Sequence, residues 1–402
     1  MILLVAYGGG HVAMLAPIAQ TLTAEGRPFI FLALTTAKSV LDRLGIPSIG
    51  FCDLPEATDS DAQRWGVELA GDLPVGGAVS SEETVAYLGG SFRDLVDEYG
   101  ELEARRRYSE TKRHAFLPVA TMRRFIARIS PDLVVATNSP RAERAAILAA
   151  GQLGIPSVCV VDLFAIQEVQ WIGQPGYATR VCVLNDSVRD RLLAHGRDAH
   201  EIAVTGNPAF DRLTDPENIQ AGAQLRRERS WDDGKKIILW ASQIEPLKHP
   251  FVDLLGDPTL PCRVEQYLRE IVTADENLRL VVRYHPSERN VFNRANRVDF
   301  SPLSEPIATL LHAVDVVVVT ASTVGLEAAL SGRPVISVDL SVFTPDTQYA
   351  SMGISTGVTD LSELKMALNK SLASVAPVMI RGQSSNSSTK NVLQVINTLL
   401  IK

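Results

Sequence analysis

Short apolar runs rich in β-branched residues alternate with stretches of helical spacing along most of this chain. Ile2–Ala6 reads as a buried strand, Gly8-Gly9-Gly10 as a tight turn, and His11 to Ala24 as a helix with apolar positions on one face. Phe29–Leu34 predicts a second strand, Ala37–Leu44 a helix and Pro47–Phe51 a third strand. Such alternation builds a parallel sheet with helices on both faces. The rhythm breaks between about residues 53 and 115. Within it, Asp53–Glu83 is acidic and rich in Gly, Pro and Ser, which predicts a long loop. It resumes with strand Leu133–Ala136, helix Arg141–Leu153, strands Ser157–Val161 and Val181–Leu184, helix Ser187–His195 and strand Glu201–Val204.

Around Pro208–Arg229 the pattern turns polar, so the link between two domains is expected near Thr205–Pro208. A second series follows: strand Lys236–Ala241, helix Val264–Ala274, strand Leu278–Arg283, strand Val314–Val319, helix Val324–Leu330 and strand Pro334–Val338. Helices at Leu361–Leu372 and Lys390–Ile401 close the chain. A chain of 402 residues is long enough for two cores. The expected fold class is therefore α/β, with two Rossmann-like doubly wound domains, residues 1–206 and 207–402, facing a central cleft. The last helix is a candidate to pack back on the N-terminal domain. Open sheets of this kind bind ligands outside the carboxyl ends of their strands, so the residues that follow the strands are the ones to inspect.

Apolar residues make up 46% of the chain, charged residues 21%, and the net charge is −7, which argues against a nucleic-acid-coating protein. Cys52, Cys159, Cys182 and Cys262 have neither zinc-site spacing nor a disulfide pattern. No stretch reaches the roughly 18 apolar residues that span a bilayer. These features predict a cytoplasmic protein. Residues 105–128 hold eight Lys/Arg against one acid, Glu110. They are a candidate contact for an anionic lipid-linked acceptor or the inner membrane face, with a solvated helical face as the plainer alternative.

Three constellations suggest chemistry. In the first, Gly9 and Gly10 let the backbone approach a ligand, the following helix offers its first amides, and His11 is a candidate base. Gly-x-Gly-x-x-Gly does not occur there, which disfavours a dinucleotide site. In the second, Pro286 stops a strand and holds His285 at its carboxyl end, with Arg283 nearby, for a phosphate. In the third, Ser322, Thr323 and Gly325 open a helix that can bind a phosphate, and Glu327 one turn in can accept from a ribose diol. Asp162, after a strand, is a second candidate base. Thr205–Asp211 reads as turn chemistry at the link.

Tyr7–His11 with Pro17 resembles the Gly-Gly-x-Gly-His start of GT-B glycosyltransferases, including UDP-dependent enzymes whose histidine at the place of His11 is the catalytic base. His285-Pro286 with Ser322-Thr323 resembles bacterial capsule and lipopolysaccharide transferases that use CMP-linked acidic sugars. Gly325–Ala328 with Gly332-Arg333-Pro334 resembles the GT-B segment whose glutamate holds the ribose, which implies that role for Glu327. Thr205–Asp211 resembles a hinge segment of UDP-GlcNAc epimerases and glycerophosphate transferases, but the Gly-Thr-Arg-Pro-Glu opening of those epimerases is absent. The expected activity is an inverting glycosyltransferase that uses a UDP- or CMP-linked donor as substrate, with no further cofactor, and a surface-glycan or lipid-linked acceptor; it is expected to be metal-independent on the reading that the chain lacks the Asp-x-Asp of a metal-bound diphosphate. Its rivals are a nucleotide-sugar epimerase of the same fold and a non-catalytic binding subunit.

Overall fold

The computed structural model describes residues 1–71, 79–250, 252–373 and 387–401. The chain forms two compact units, Met1–Ala209 with Ser384–Lys402, and Phe210–Gln383.

The first unit is built on β1 (Ile2–Ala6), β2 (Phe29–Ala33), β3 (Leu133–Thr137), β4 (Ser157–Val160), β5 (Arg180–Val183) and β6 (Ile202–Val204), in the order β2-β1-β3-β4-β5-β6. Every pairing is parallel; Leu4, for example, lies opposite Phe31 on one side and Val135 on the other. Strands covered on both faces must be apolar throughout, and β1, β3 and β4 are buried along their full length. The C-terminal helix Ser388–Leu400 belongs to this unit. It places Val392, Leu393, Ile396 and Leu399 in the same core as Leu4 and Val135. Burial of such side chains stabilises by about 1.5–3 kcal/mol each. Asn391 Nδ2 also donates to the Thr205 carbonyl at 3.1 Å.

Two expectations need correction here. Pro47–Phe51 is not a strand: it makes one isolated bridge, Leu32 to Ile49, and passes into a short 3-10 turn at Phe51–Asp53. Pro47 has no amide to extend the ladder. Asp53–Glu83 is not a long loop either; residues 72–78 lie outside the described residues, and the rest is largely helical. Helix Ser60–Ala70 is capped by Asp59, which accepts from Ala62 N, and helix Ser81–Tyr99 by Ser80, which accepts from Glu83 N. The two helices pack backbone to backbone. A Cβ on Gly89 would lie 1.8 Å from the Ala62 carbonyl oxygen, and one on Gly66 2.1 Å from that of Val85. These glycines serve helix contact, not chain reversal.

The basic stretch is largely neutralised. Arg105 pairs with Glu68 and Glu101, Arg106 with Glu103 and Glu110, Arg107 with Glu103, Arg124 with Asp94 and Arg128 with Glu56. Among the described residues no helix is long and apolar enough to cross a membrane.

The second unit carries β7 (Lys236–Ala241), β8 (Leu278–Arg283), β9 (Val298–Phe300), β10 (Val316–Val319), β11 (Val335–Val338) and β12 (Thr356–Val358), again all parallel, in the order β12-β11-β10-β7-β8-β9. β9 and β12 are three-residue edge strands, too short to show a pattern in the sequence. In each sheet the chain reverses its winding beside the first strand, between β1 and β3 and between β7 and β10. The carboxyl ends of those pairs are where such sheets bind ligands.

Candidate functional site

The first switch point gathers ionisable side chains from β1, β3 and β4. Past β1, Tyr7 N donates to Glu143 Oε1 at 2.7 Å. The glycines that follow have different roles. Gly8 packs against the chain itself, since a Cβ there would meet Thr36 Oγ1 at 1.9 Å. Gly9 has φ 68°, which favours glycine, and Gly10 borders open space. Helix Gly10–Ala24 has no side-chain cap, so its first amides remain available to an anion. His11 sits in that first turn, half-buried, with Nδ1 inaccessible to solvent and without a hydrogen-bond partner.

Glu143 lies in the first turn of helix Ala142–Gln152, directly after β3, and is fully buried. Its Oε1 also accepts from Thr137 Oγ1 at 3.4 Å, whereas Oε2 has no partner. Burial pushes the carboxyl above the usual carboxylate range, and the nearby His11 opposes that. Glu168, in the loop after β4, behaves alike: burial and Asp162 raise it, His11 lowers it. Asp162 is the third carboxyl group here, near enough to act on Glu168. Its Oδ1 accepts from Asn138 Nδ2 at 2.9 Å and from Leu163 N at 2.7 Å, while its own amide donates to Asn138 Oδ1 at 3.0 Å. Asn207 Nδ2 donates to the Asp162 main-chain carbonyl, so the Thr205–Asp211 segment does more than turn the chain: it holds the backbone that carries Asp162. In the same loop Ala165 is held at φ 52°, an unfavourable conformation of the kind that persists where the surroundings over-determine it. A histidine whose charge reaches two buried carboxyl groups, one of which also feels Asp162, is an arrangement that can move a proton.

In the second unit, helix Thr323–Leu330 starts beyond β10. Ser322 is its N-cap, its Oγ accepting from Val324 N at 3.3 Å, and its carbonyl accepts from the Tyr349 hydroxyl at 2.9 Å. Thr323 is exposed. Gly325 packs on the protein and not on open space: a Cβ would lie 2.9 Å from Val319 Cγ2 and 3.0 Å from Tyr349 Cε2. Glu327 is largely buried and is pushed up to about 7 by that burial, against the charge of Arg283 and a hydrogen bond from Thr323. Arg283 is committed inside the fold, its Nη1 donating to Ser301 Oγ at 2.9 Å and to the carbonyls of Pro302 at 3.1 Å and Glu305 at 2.9 Å. It acts on the site through its charge on Glu327. His285 is exposed, and its Nδ1 accepts from Ser287 N at 3.2 Å. In the neutral ring that bond places the proton on Nε2, which is then a free donor. Glu288 fixes this turn, accepting from His285 N at 2.6 Å and from Ser242 Oγ, beyond β7, at 2.9 Å.

Sequence reasoning missed Asn138, Glu143, Glu168 and Glu288. Glu143 alone left a signal: it falls among Ala142, Ala145, Ala146 and Ala150, the buried face of its helix. The expected absence of an Asp-x-Asp is incorrect: the chain contains one, Asp59-Ser60-Asp61, the usual pattern for a metal-bound diphosphate. Here Asp59 caps a helix and pairs with Arg93, so it is spent on structure. Asp198, His200 and Glu201 bring three ligand atoms within 4.8 Å. They lie just before β6, at the opposite end of the sheet from the cluster, and Glu201 already pairs with Arg197.

No protein-family model and no curated protein matches the chain. Solved structures do. UDP-GlcNAc 2-epimerase from Methanocaldococcus jannaschii aligns over 99% of this chain and 99% of its own, with TM-score 0.60 and 12% identity. UDP-GlcNAc 2-epimerase from Neisseria meningitidis, bound to UDP-GlcNAc, aligns over 99% of this chain and 100% of its own, with TM-score 0.59 and 13% identity. A glycosyltransferase from Rickettsia africae aligns over 100% of this chain and 93% of its own, with TM-score 0.51 and 13% identity. Two parallel six-stranded sheets with flanking helices, matched along their whole length to these proteins, give this chain the GT-B fold.

Proposed function

We propose that this chain is a nucleotide-sugar enzyme that transfers the sugar to an acceptor hydroxyl. The observation that carries the reading is the cluster of His11 with Glu143, Asp162 and Glu168 at the switch point of the first unit. His11 takes the proton of the acceptor hydroxyl as its oxygen attacks the anomeric carbon. The carbon–oxygen bond to the nucleotide breaks, and its electron pair leaves with the phosphate. Burial keeps Glu143 and Glu168 ready to share the proton that His11 receives. In the second unit the amides of helix Thr323–Leu330, the Thr323 hydroxyl and His285 Nε2 are suited to the departing phosphate, and Glu327 to the ribose. UDP is the favoured nucleotide, because the structural relatives include epimerases bound to UDP or UDP-GlcNAc. The acceptor class is a glycan or lipid-linked sugar.

A second reading, epimerisation of the nucleotide sugar, is favoured by the UDP-GlcNAc 2-epimerases among the relatives. One experiment separates the two. UDP-sugars are incubated with the protein alone and with a panel of sugar acceptors, and products are resolved by mass spectrometry and NMR. Transfer yields UDP and a longer glycan only when acceptor is present. Conversion of the donor to an epimer without acceptor overturns transfer and establishes the second reading.

A further inference from the structure

Beside the proton-transfer cluster, in the first unit, lies a pocket of about 310 Å³ whose lining includes Glu98, Tyr99, Arg107, His114, Arg141 and Arg144. Its charge is unusual for this chain, whose net charge is −7 and whose basic stretch elsewhere is largely paired with acids. Arg107 pairs with Glu103 at 2.8 Å and lies over the Tyr99 ring at 3.7 Å. Among the described residues Arg141 and Arg144 have no ion pair and no side-chain hydrogen bond. Each is held by an aromatic ring instead: Arg141 over Tyr7 at 5.7 Å, Arg144 over Trp171 at 5.1 Å. Their Nε atoms are buried without partners, as is Trp171 Nε1. A stacked guanidinium keeps its charge and its in-plane donors, so stacking orients these two without neutralising them.

Arg141 is the residue just before the helix that carries Glu143 and Arg144 lies in its first turn, and the ring under Arg141 belongs to the residue whose amide holds Glu143. The pocket and the cluster therefore share a wall. We infer that this pocket binds an oxyanion, a phosphate or carboxylate, carried by the acceptor. The fork of a guanidinium matches both groups bidentately. The volume is at the low end for small-molecule sites and suits one anionic group with part of a sugar ring. The assignment of that group to the acceptor rests on the transfer reading; the oxyanion site itself does not.

The test reads binding without turnover. Full-length ¹⁵N-labelled protein is titrated with inorganic phosphate, glucose 1-phosphate and glucuronate, and the arginine Nε–H resonances are followed. Saturable shifts at Arg141 and Arg144 are expected with at least one ligand; glucose 1-phosphate above glucuronate assigns a phosphate acceptor, and the reverse order a carboxylate one. Arg144→Gln should weaken that ligand at least tenfold, and Arg144→Lys less. UDP affinity, measured on the same samples, should not change and shows that the variants are folded. Absence of saturable shifts with all three ligands, or equal affinity in an Arg141→Gln/Arg144→Gln variant that still binds UDP, overturns the site. Neither result would touch the donor chemistry, which the product analysis tests separately.

Discussion

Glu327→Gln should make the second unit more stable at alkaline pH and, at the same time, poorer at holding a nucleotide. Burial lifts the Glu327 carboxyl from 4.5 to about 7. Below pH 4.5 the group is protonated in both the native and unfolded chain, and it contributes no difference. As pH rises from 4.5 to about 7, the unfolded chain releases its proton while the native state retains it. Stability therefore falls with rising pH across this window, and above it the native state bears the full cost of an ionised, buried carboxylate. A shift of that size corresponds to about 3 kcal/mol, already net of the attraction to Arg283 and the bond from Thr323. Glutamine keeps the shape and cannot ionise. Urea unfolding at pH 4.5, 6, 7 and 8.5, read by tryptophan fluorescence, to which the buried Trp231 and Trp240 of the unit that holds Glu327 contribute, measures the difference. The two proteins should coincide at pH 4.5, and the variant should lead by up to about 3 kcal/mol at pH 8.5. A variant no more stable than the parent at pH 8.5 refutes the argument from burial. The carboxylate tolerates this cost if it accepts from a ribose diol, so the variant should also lose about 1.5–3 kcal/mol of UDP affinity by calorimetry. A stabilised variant that binds UDP normally would leave the burial argument standing and remove Glu327 from the ribose.

Three further outcomes are expected. His11→Ala should lower turnover roughly 10²–10⁴-fold with UDP affinity unchanged in steady-state kinetics and calorimetry; near-parental turnover would transfer the role of base to Asp162. Turnover should persist in EDTA, because the phosphate is assigned to helix amides and His285; loss on chelation, restored by Mg²⁺ or Mn²⁺, would refute that assignment. Gly89→Ala should lower the melting temperature clearly, since its Cβ would stand 1.8 Å from the Ala62 carbonyl oxygen and backbone must move; overpacking of this kind costs about 1–3 kcal/mol or more, and an unchanged melting curve would show that the two helices are not in backbone contact.

What the sequence reveals depends on how local each cause is. β1, β3, β7 and β10 are legible because a parallel strand covered on both faces must be apolar along its whole length, and Leu4 or Val318 says so without reference to anything distant. Ser322 and Glu327 are legible for a similar reason, since a helix start is written in consecutive residues. The helices between Asp59 and Tyr99 are not. Gly66 and Gly89 read as chain breakers until each is seen to lie under the backbone of the other helix, a contact that no local pattern records. The same distinction divides the site. His11 belongs to a local motif, but what surrounds it arrives from far along the chain: Glu143 joins Tyr7 over 136 positions, and Asn207 meets Asp162 over 45. A lone histidine after a glycine turn is compatible with packing or with chemistry. Two carboxyl groups within its reach, Glu143 and Glu168, raised by burial and opposed by His11, are costly to bury and do not improve the core. That cost is the physical reason to place the chemistry at His11, and only the folded chain displays it.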